Sequence, residues 1–144
     1  NESISAYGVG AHRHTPEINQ LLSAAAGSGV EGIFTPHLVP MNRGILTTIY
    51  APLAADTGEQ ELMDALRGAY QQEPFVQVVE HLPATSHVVG TNFCHLTARR
   101  VGDRAVLVSC LDNLVKGASG VAVQNFNLLM GLEETTALVD GARA

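Results

Sequence analysis

The stretch Phe93-Cys94-His95-Leu96-Thr97-Ala98-Arg99-Arg100-Val101, followed after Gly102-Asp103 by Arg104-Ala105-Val106-Leu107-Val108-Ser109-Cys110-Leu111, decides the fold class. Two strand-like runs flank a two-residue turn signal, which predicts an antiparallel hairpin. On the second arm, alternation places Val106 and Val108 on one face.

Outward from the hairpin the chain mixes helical and extended patterns. Toward the N-terminus, a helix is expected from about Thr15 to Ala26, with Ile18, Leu21, Leu22 and Ala25 at helical spacing and a stop at Gly27-Ser28-Gly29. Strands are expected from Val30 to about Leu38 and from Ile45 to Pro52, with a turn at Met41-Asn42-Arg43-Gly44. A second helix is expected from Thr57, with Thr57 and Gln60 as a capping box and Leu62, Leu66 and Tyr70 on one face. A short apolar strand over Phe75 to Val79 precedes the hairpin. A third helix is expected over about Ala118 to Met130, with Val123, Phe126 and Met130 buried, before an exposed tail beyond Gly131. The pattern predicts one α+β domain over residues 1–144, a mixed and largely antiparallel sheet with helices on one face.

Composition narrows the function. A chain of 144 residues with 46% apolar residues can bury a core without disulfides. A net charge of −6 argues against nucleic acid or anionic membrane as the main partner, since both demand clustered Lys and Arg. There is no apolar run long enough to span a membrane and no signal-peptide pattern. Cys94 and Cys110 form no CxxC pair, which fits a reducing cytoplasm. Both lie in apolar, strand-like contexts and are read as core residues. A chain that opens on Asn1 rather than Met, shortly before a reactive motif, reads as part of a longer one.

That motif is Gly10-Ala11-His12-Arg13-His14-Thr15-Pro16-Glu17. Thr15 is the expected N-cap, Pro16 the first helical residue and Glu17 a first-turn acid. Two imidazoles and a guanidinium therefore sit where backbone N–H donors converge, a place suited to anions and proton transfer. Two further motifs are Thr35-Pro36-His37-Leu38-Val39-Pro40-Met41-Asn42-Arg43-Gly44 and Ser109-Cys110-Leu111-Asp112-Asn113-Leu114-Val115-Lys116-Gly117-Ala118-Ser119-Gly120. His12-x-His14 lacks further ligands at a characteristic spacing, even with His37 or His95, and the intervening Arg13 repels a cation, so no metal is expected.

Together the three motifs resemble N-acetyl-gamma-glutamyl-phosphate reductase, the NADPH-dependent enzyme of arginine biosynthesis. The resemblance runs from about Asn1 to Gly131. It implies a glyceraldehyde-3-phosphate-dehydrogenase-like second domain that recognises substrate and forms a homo-oligomer. The family's dinucleotide-binding domain is then absent from this chain, which has no Gly-x-Gly-x-x-Gly after a strand and no Pro-Gly-Cys nucleophile motif. The resemblance implies His12 as the catalytic base, with Glu17 orienting it and His14 as the other candidate, because sequence alone does not separate the two imidazoles. Arg13, His14 and Arg43 would bind the substrate's carboxylate and phosphate. Asn113, Lys116 and Gly117 would line the nicotinamide of NADP. The isolated chain is expected to be inactive. The alternatives are a homo-oligomerisation module with no catalysis of its own, or a reductase of a related acyl phosphate.

Overall fold

The computed structural model describes residues 2–54 and 56–139, so Asn1 and the end of the tail, residues 140–144, lie outside the described residues. The chain divides into two compact units, residues 1–42 and 43–144, where the composition suggests one domain.

The first unit holds β1 (Ser5–Ala6), α1 (Thr15–Ala26) and β2 (His37–Leu38), with β1 and β2 paired antiparallel. Helix α1 has the expected span and stops at Gly27, whose φ of 66° is left-handed. Its start differs from expectation. His14 takes the N-cap position without a side-chain cap bond, Thr15 is already helical, and the Thr15 Oγ1 is buried without a partner. The strand expected from Val30 shrinks to β2 because its backbone is used elsewhere. Ser23 Oγ bonds both the N–H (2.8 Å) and the carbonyl (3.2 Å) of Val30, and Asn19 Oδ1 accepts from Gly32 N at 3.0 Å. A backbone bonded to a helix's side chains cannot enter a ladder. No described residue of this unit is buried, and Leu21 and Leu22 on the expected apolar face of α1 are exposed.

The second unit is a four-stranded sheet with helices. Its order is β3 (Ile45–Pro52), β6 (Arg104–Leu111), β5 (Cys94–Val101), β4 (Val76–Val78). The β3–β6 and β5–β6 pairs are antiparallel, and the β4–β5 pair is parallel. The expected hairpin closes with Val101 opposite Arg104. Helix α2 (Glu59–Tyr70) packs on β5 and β4. It starts one residue past the expected box: the Gly58 N–H donates to Glu61 Oε2 at 2.6 Å. Met63, rather than the Leu62 row, is its fully buried residue, and its sulfur accepts from Ala98 N at 3.4 Å. Phe75, Val88, Leu96, Ala98, Ala105 and Cys110 complete the core.

Beyond β6 a π-helical turn over Val115–Ser119 leads into α3 (Gly120–Leu129). Here the burial expectation inverts. Val123, Phe126 and Met130 are exposed, while Gly120 and Asn127 are buried. Asn127 Nδ2 donates to the carbonyls of Glu134 (3.1 Å) and Thr136 (3.0 Å), so the start of the tail is folded back on α3.

Candidate functional site

The expected site residues fall into two groups, one in each unit. His12, Arg13, His14 and Glu17 belong to the first; Arg43, Asn113, Lys116 and Gly117 belong to the second.

In the first group His12 is half-buried among three rings. Tyr7, His14 and Phe34 meet it edge-on, with centroids at 5.4, 4.9 and 5.1 Å. Gly8, at φ 58°, lies close beneath, and a Cβ there would come within 3.1 Å of the imidazole. The His14 backbone N–H donates to His12 Nδ1 at 3.2 Å. A neutral ring whose Nδ1 accepts carries its proton on Nε2, so the group presented is an N–H donor. Glu17, expected to orient the ring, makes no hydrogen bond or ion pair among the described residues; the backbone of His14 orients it instead. Arg13 is exposed and likewise forms no ion pair there, which leaves its guanidinium available to an anion.

The second group is built around Asp112, a residue of the third motif to which the sequence assigned no role. It is fully buried. Its carboxylate accepts from the backbone N–H of Gly90 (2.7 Å), Leu114 (2.8 Å) and Val115 (3.0 Å). Arg43 Nη2 pairs with it at 3.0 Å. Burial pushes the Asp112 carboxyl up, but the three backbone donors and the Arg43 charge outweigh it and hold the group below its ordinary range. The available signal was an Asp placed two and three residues before the N–H groups of a helical turn, the pattern of a cap.

Arg43, expected as an anion clamp, is therefore committed through Nη2 to a buried carboxylate, and its Nε is buried without a partner. Asn113 Oδ1 accepts from Gly44 N at 2.7 Å, so only its NH2 is left to face a ligand. Gly44 has no latitude: at φ 107° an added Cβ would lie 2.7 Å from Thr85 Cβ. Lys116 turns toward α3. Its Nζ donates to Gln124 Oε1 at 2.7 Å and sits 5.5 Å from the Phe75 ring centroid. Burial lowers its pKa, against the pull of Cys94, Glu134 and Glu73. Gly117 N–H donates to the Asp112 carbonyl at 2.9 Å.

Neither cysteine is prepared as a nucleophile. Burial raises the Cys94 thiol, with Lys116 opposing, and burial with the neighbouring Cys94 raises Cys110. Sequence reasoning also missed a third group, His81, His87 and His95, whose ligand nitrogens lie within 4.8 Å of one another. Burial and the two neighbouring imidazoles lower the His95 pKa. Their irregular spacing in the chain gave no signal.

A mixed sheet with α2 packed on it, an edge strand β3 that carries exposed apolar side chains and an exposed apolar stripe on α3 define an α+β domain. The family model described as semialdehyde dehydrogenase, dimerisation domain, matches residues 1–113, and the chain belongs to that family. Curated relatives agree with the resemblance carried by the motifs. A protein of Rhodopirellula baltica named N-acetyl-gamma-glutamyl-phosphate reductase is 53% identical, over 96% of this chain and 42% of its own length. One of the same name from Pelotomaculum thermopropionicum is 52% identical, over 96% and 41%. A probable chloroplastic form from Arabidopsis thaliana is 47% identical, over 96% and 35%. The chain thus spans under half the length of these relatives. Aspartate semialdehyde dehydrogenase II of Vibrio cholerae shares the fold, with a TM-score of 0.62 at 18% identity over 83% of this chain and 37% of its own.

Proposed function

We propose that this chain is the substrate-binding and dimerisation domain of an NADPH-dependent reductase that converts N-acetyl-gamma-glutamyl phosphate to N-acetylglutamate semialdehyde and phosphate. The observation that carries the reading is 53% identity across nearly the whole chain to a reductase of that name.

The chemistry assigns work to the groups present. A protein thiolate attacks the acyl phosphate carbonyl, and the C–O bond to phosphate breaks. The dinucleotide, when bound, supplies the hydride that reduces the resulting thioester. The oxygen that gains negative charge needs a hydrogen-bond donor, and the His12 Nε2–H serves there as a donor that keeps its proton rather than as the base expected from sequence, because Nδ1 is taken by the His14 N–H. As the C–S bond breaks and the aldehyde forms, the negative charge passes from that oxygen to the departing thiolate, and no proton leaves the ring. His14, beside it, remains the alternative base. Arg13 receives the substrate's anionic end. Arg43, held to Asp112 through Nη2 and 34% exposed, would be the second clamp on the substrate's anionic groups. For the nicotinamide carboxamide, Asn113 offers its NH2 and the exposed Gly117 its carbonyl side, while the inward-turned Lys116 fits that role poorly. The thiolate and the dinucleotide loop belong to the part of the relatives' length that this chain does not span.

No described helix is long and apolar enough to cross a membrane. A small-molecule reductase of this kind works in a reducing compartment, the cytoplasm in a bacterium, without nucleic acid or membrane as partner. The test uses the protein encoded by the whole reading frame that contains this sequence. Assayed in reverse with N-acetylglutamate semialdehyde, phosphate and NADP, it should form NADPH. Activity with aspartate semialdehyde instead would assign it to a related acyl phosphate.

A further inference from the structure

We propose that His81, His87 and His95 form a binding site for a divalent transition-metal ion of the zinc class. The three come from separate places in the second unit: the loop after β4, the end of the 3-10 turn Thr85–His87, and β5. Half of the chain's six histidines converge here. Their ring centroids lie 5.1, 6.2 and 6.3 Å apart, and one ligand nitrogen from each falls within 4.8 Å of the others. With zinc–nitrogen bonds of about 2.0–2.1 Å, tetrahedral ligands stand about 3.3 Å apart. Closing the set therefore asks for shifts of about 1.5 Å or less per pair, within the reach of ring rotation at the exposed His81 and His87.

A purely structural cluster would satisfy its polar atoms internally. This one does not, because His95 Nδ1 is buried with no hydrogen-bond partner. His87 Nδ1 accepts from the Ala84 N–H at 3.2 Å, an exposed bond that water can replace when the ring turns to an ion. The nearest carboxylate in sequence, Glu80, is engaged by Arg67, so the ligand set is three imidazoles. Neutral imidazoles favour zinc, nickel and copper over magnesium or calcium, and two exposed ligands leave a fourth position open to water.

The location gives the ion a consequence. His81 and His87 lie on the long connection between β4 and β5. The same connection presents Thr85 to Gly44 and Gly90 N–H to Asp112. An ion that joins His81 and His87 to β5 would pin the segment on which the Arg43–Asp112 pair depends.

The test is calorimetric titration of the tag-free protein with zinc chloride, and cobalt(II) absorption as a spectroscopic copy. Expected are one ion per chain, visible bands of an imidazole-bound cobalt, and a melting temperature that rises with zinc. His81→Ala, His87→Ala and His95→Gln should each weaken binding by about tenfold or more. His37→Ala, outside the cluster, should leave it unchanged. If His95→Gln does not fold, the two exposed positions decide. No stoichiometric binding by the parent, or equal affinity in the His81 and His87 variants, would overturn the proposal.

Discussion

At the scale of the residue, Asp112 is the group with the most at stake. A buried carboxylate is tolerable only while its lone pairs meet donors, and four donors converge on this one. Asp112→Asn replaces one acceptor oxygen with an NH2 that must face an N–H or a guanidinium. The expected cost is about 3 kcal/mol, read as a lowered denaturation midpoint. Because the folded pKa is depressed, the carboxylate's stabilisation is fully present above its unfolded value and is lost as pH falls through the folded one. The acid side of the stability profile, below about pH 4, should therefore flatten in Asp112→Asn. Arg43→Lys keeps charge but loses the fork; with the side chain 34% exposed, the expected loss is only about 1 kcal/mol. Substrate affinity that fell with an unchanged melting curve would show that Arg43 acts as a clamp more than as a brace. His12 and Glu17 also separate at this scale. Under the proposed function, His12→Ala should lower kcat of the whole enzyme far more than it raises KM, because a hydrogen bond to the developing oxyanion acts in the transition state. Glu17→Ala should leave both nearly unchanged, since the His14 amide seats the ring. A crippled Glu17→Ala would mean that the carboxylate reaches the imidazole during turnover.

Individual elements show what a sequence can and cannot announce. The hairpin, β3 and the span of α1 were legible because period-two alternation, a Gly-Asp turn and a left-handed Gly27 are local signals. The strand expected from Val30 was not legible as a loop, because Ser23 and Asn19 capture its backbone from α1. The apolar positions of α3 were legible as a stripe but not as exposed, since periodicity reports a face and not what covers it. Of the candidate site, residue types near His12 were readable, whereas the Asp112 hub and the three-histidine group depend on long-range approach. The start of α3 carries its own test. A Cβ at Gly120 would stand 2.3 Å from Asn92 Oδ1 and 2.8 Å from Val115 Cγ1. Asn92 is buried and bonded to Gln124 at 3.0 Å, so it cannot easily yield. Gly120→Ala should destabilise by about 2 kcal/mol through overpacking, despite alanine's better helix propensity. A neutral or stabilising result by chemical denaturation would show that the π-helical turn absorbs the methyl group.

For the whole molecule the unbalanced feature is the β3 side of the sheet. This edge strand is eight residues long, with one side of its backbone unpaired among the described residues, a template for association unless covered. Alternation puts Leu46 and Tyr50 on one face and Ile45 and Ile49 on the other. The first pair is 51% and 72% exposed, the second 46% and 47%. Membership in a dimerisation-domain family makes a second copy the natural cover, and the greater bare area selects the Leu46–Tyr50 face. Charging that face should break the assembly without touching the buried core. Leu46→Asp with Tyr50→Asp is therefore expected to convert a dimer to a monomer by size exclusion with light scattering, while far-UV circular dichroism stays native. Ile45→Asp with Ile49→Asp should shift the equilibrium less. A double variant at Leu46 and Tyr50 that remains dimeric would move the interface to the other face or to the exposed apolar residues of α3, Phe126, Leu129 and Met130.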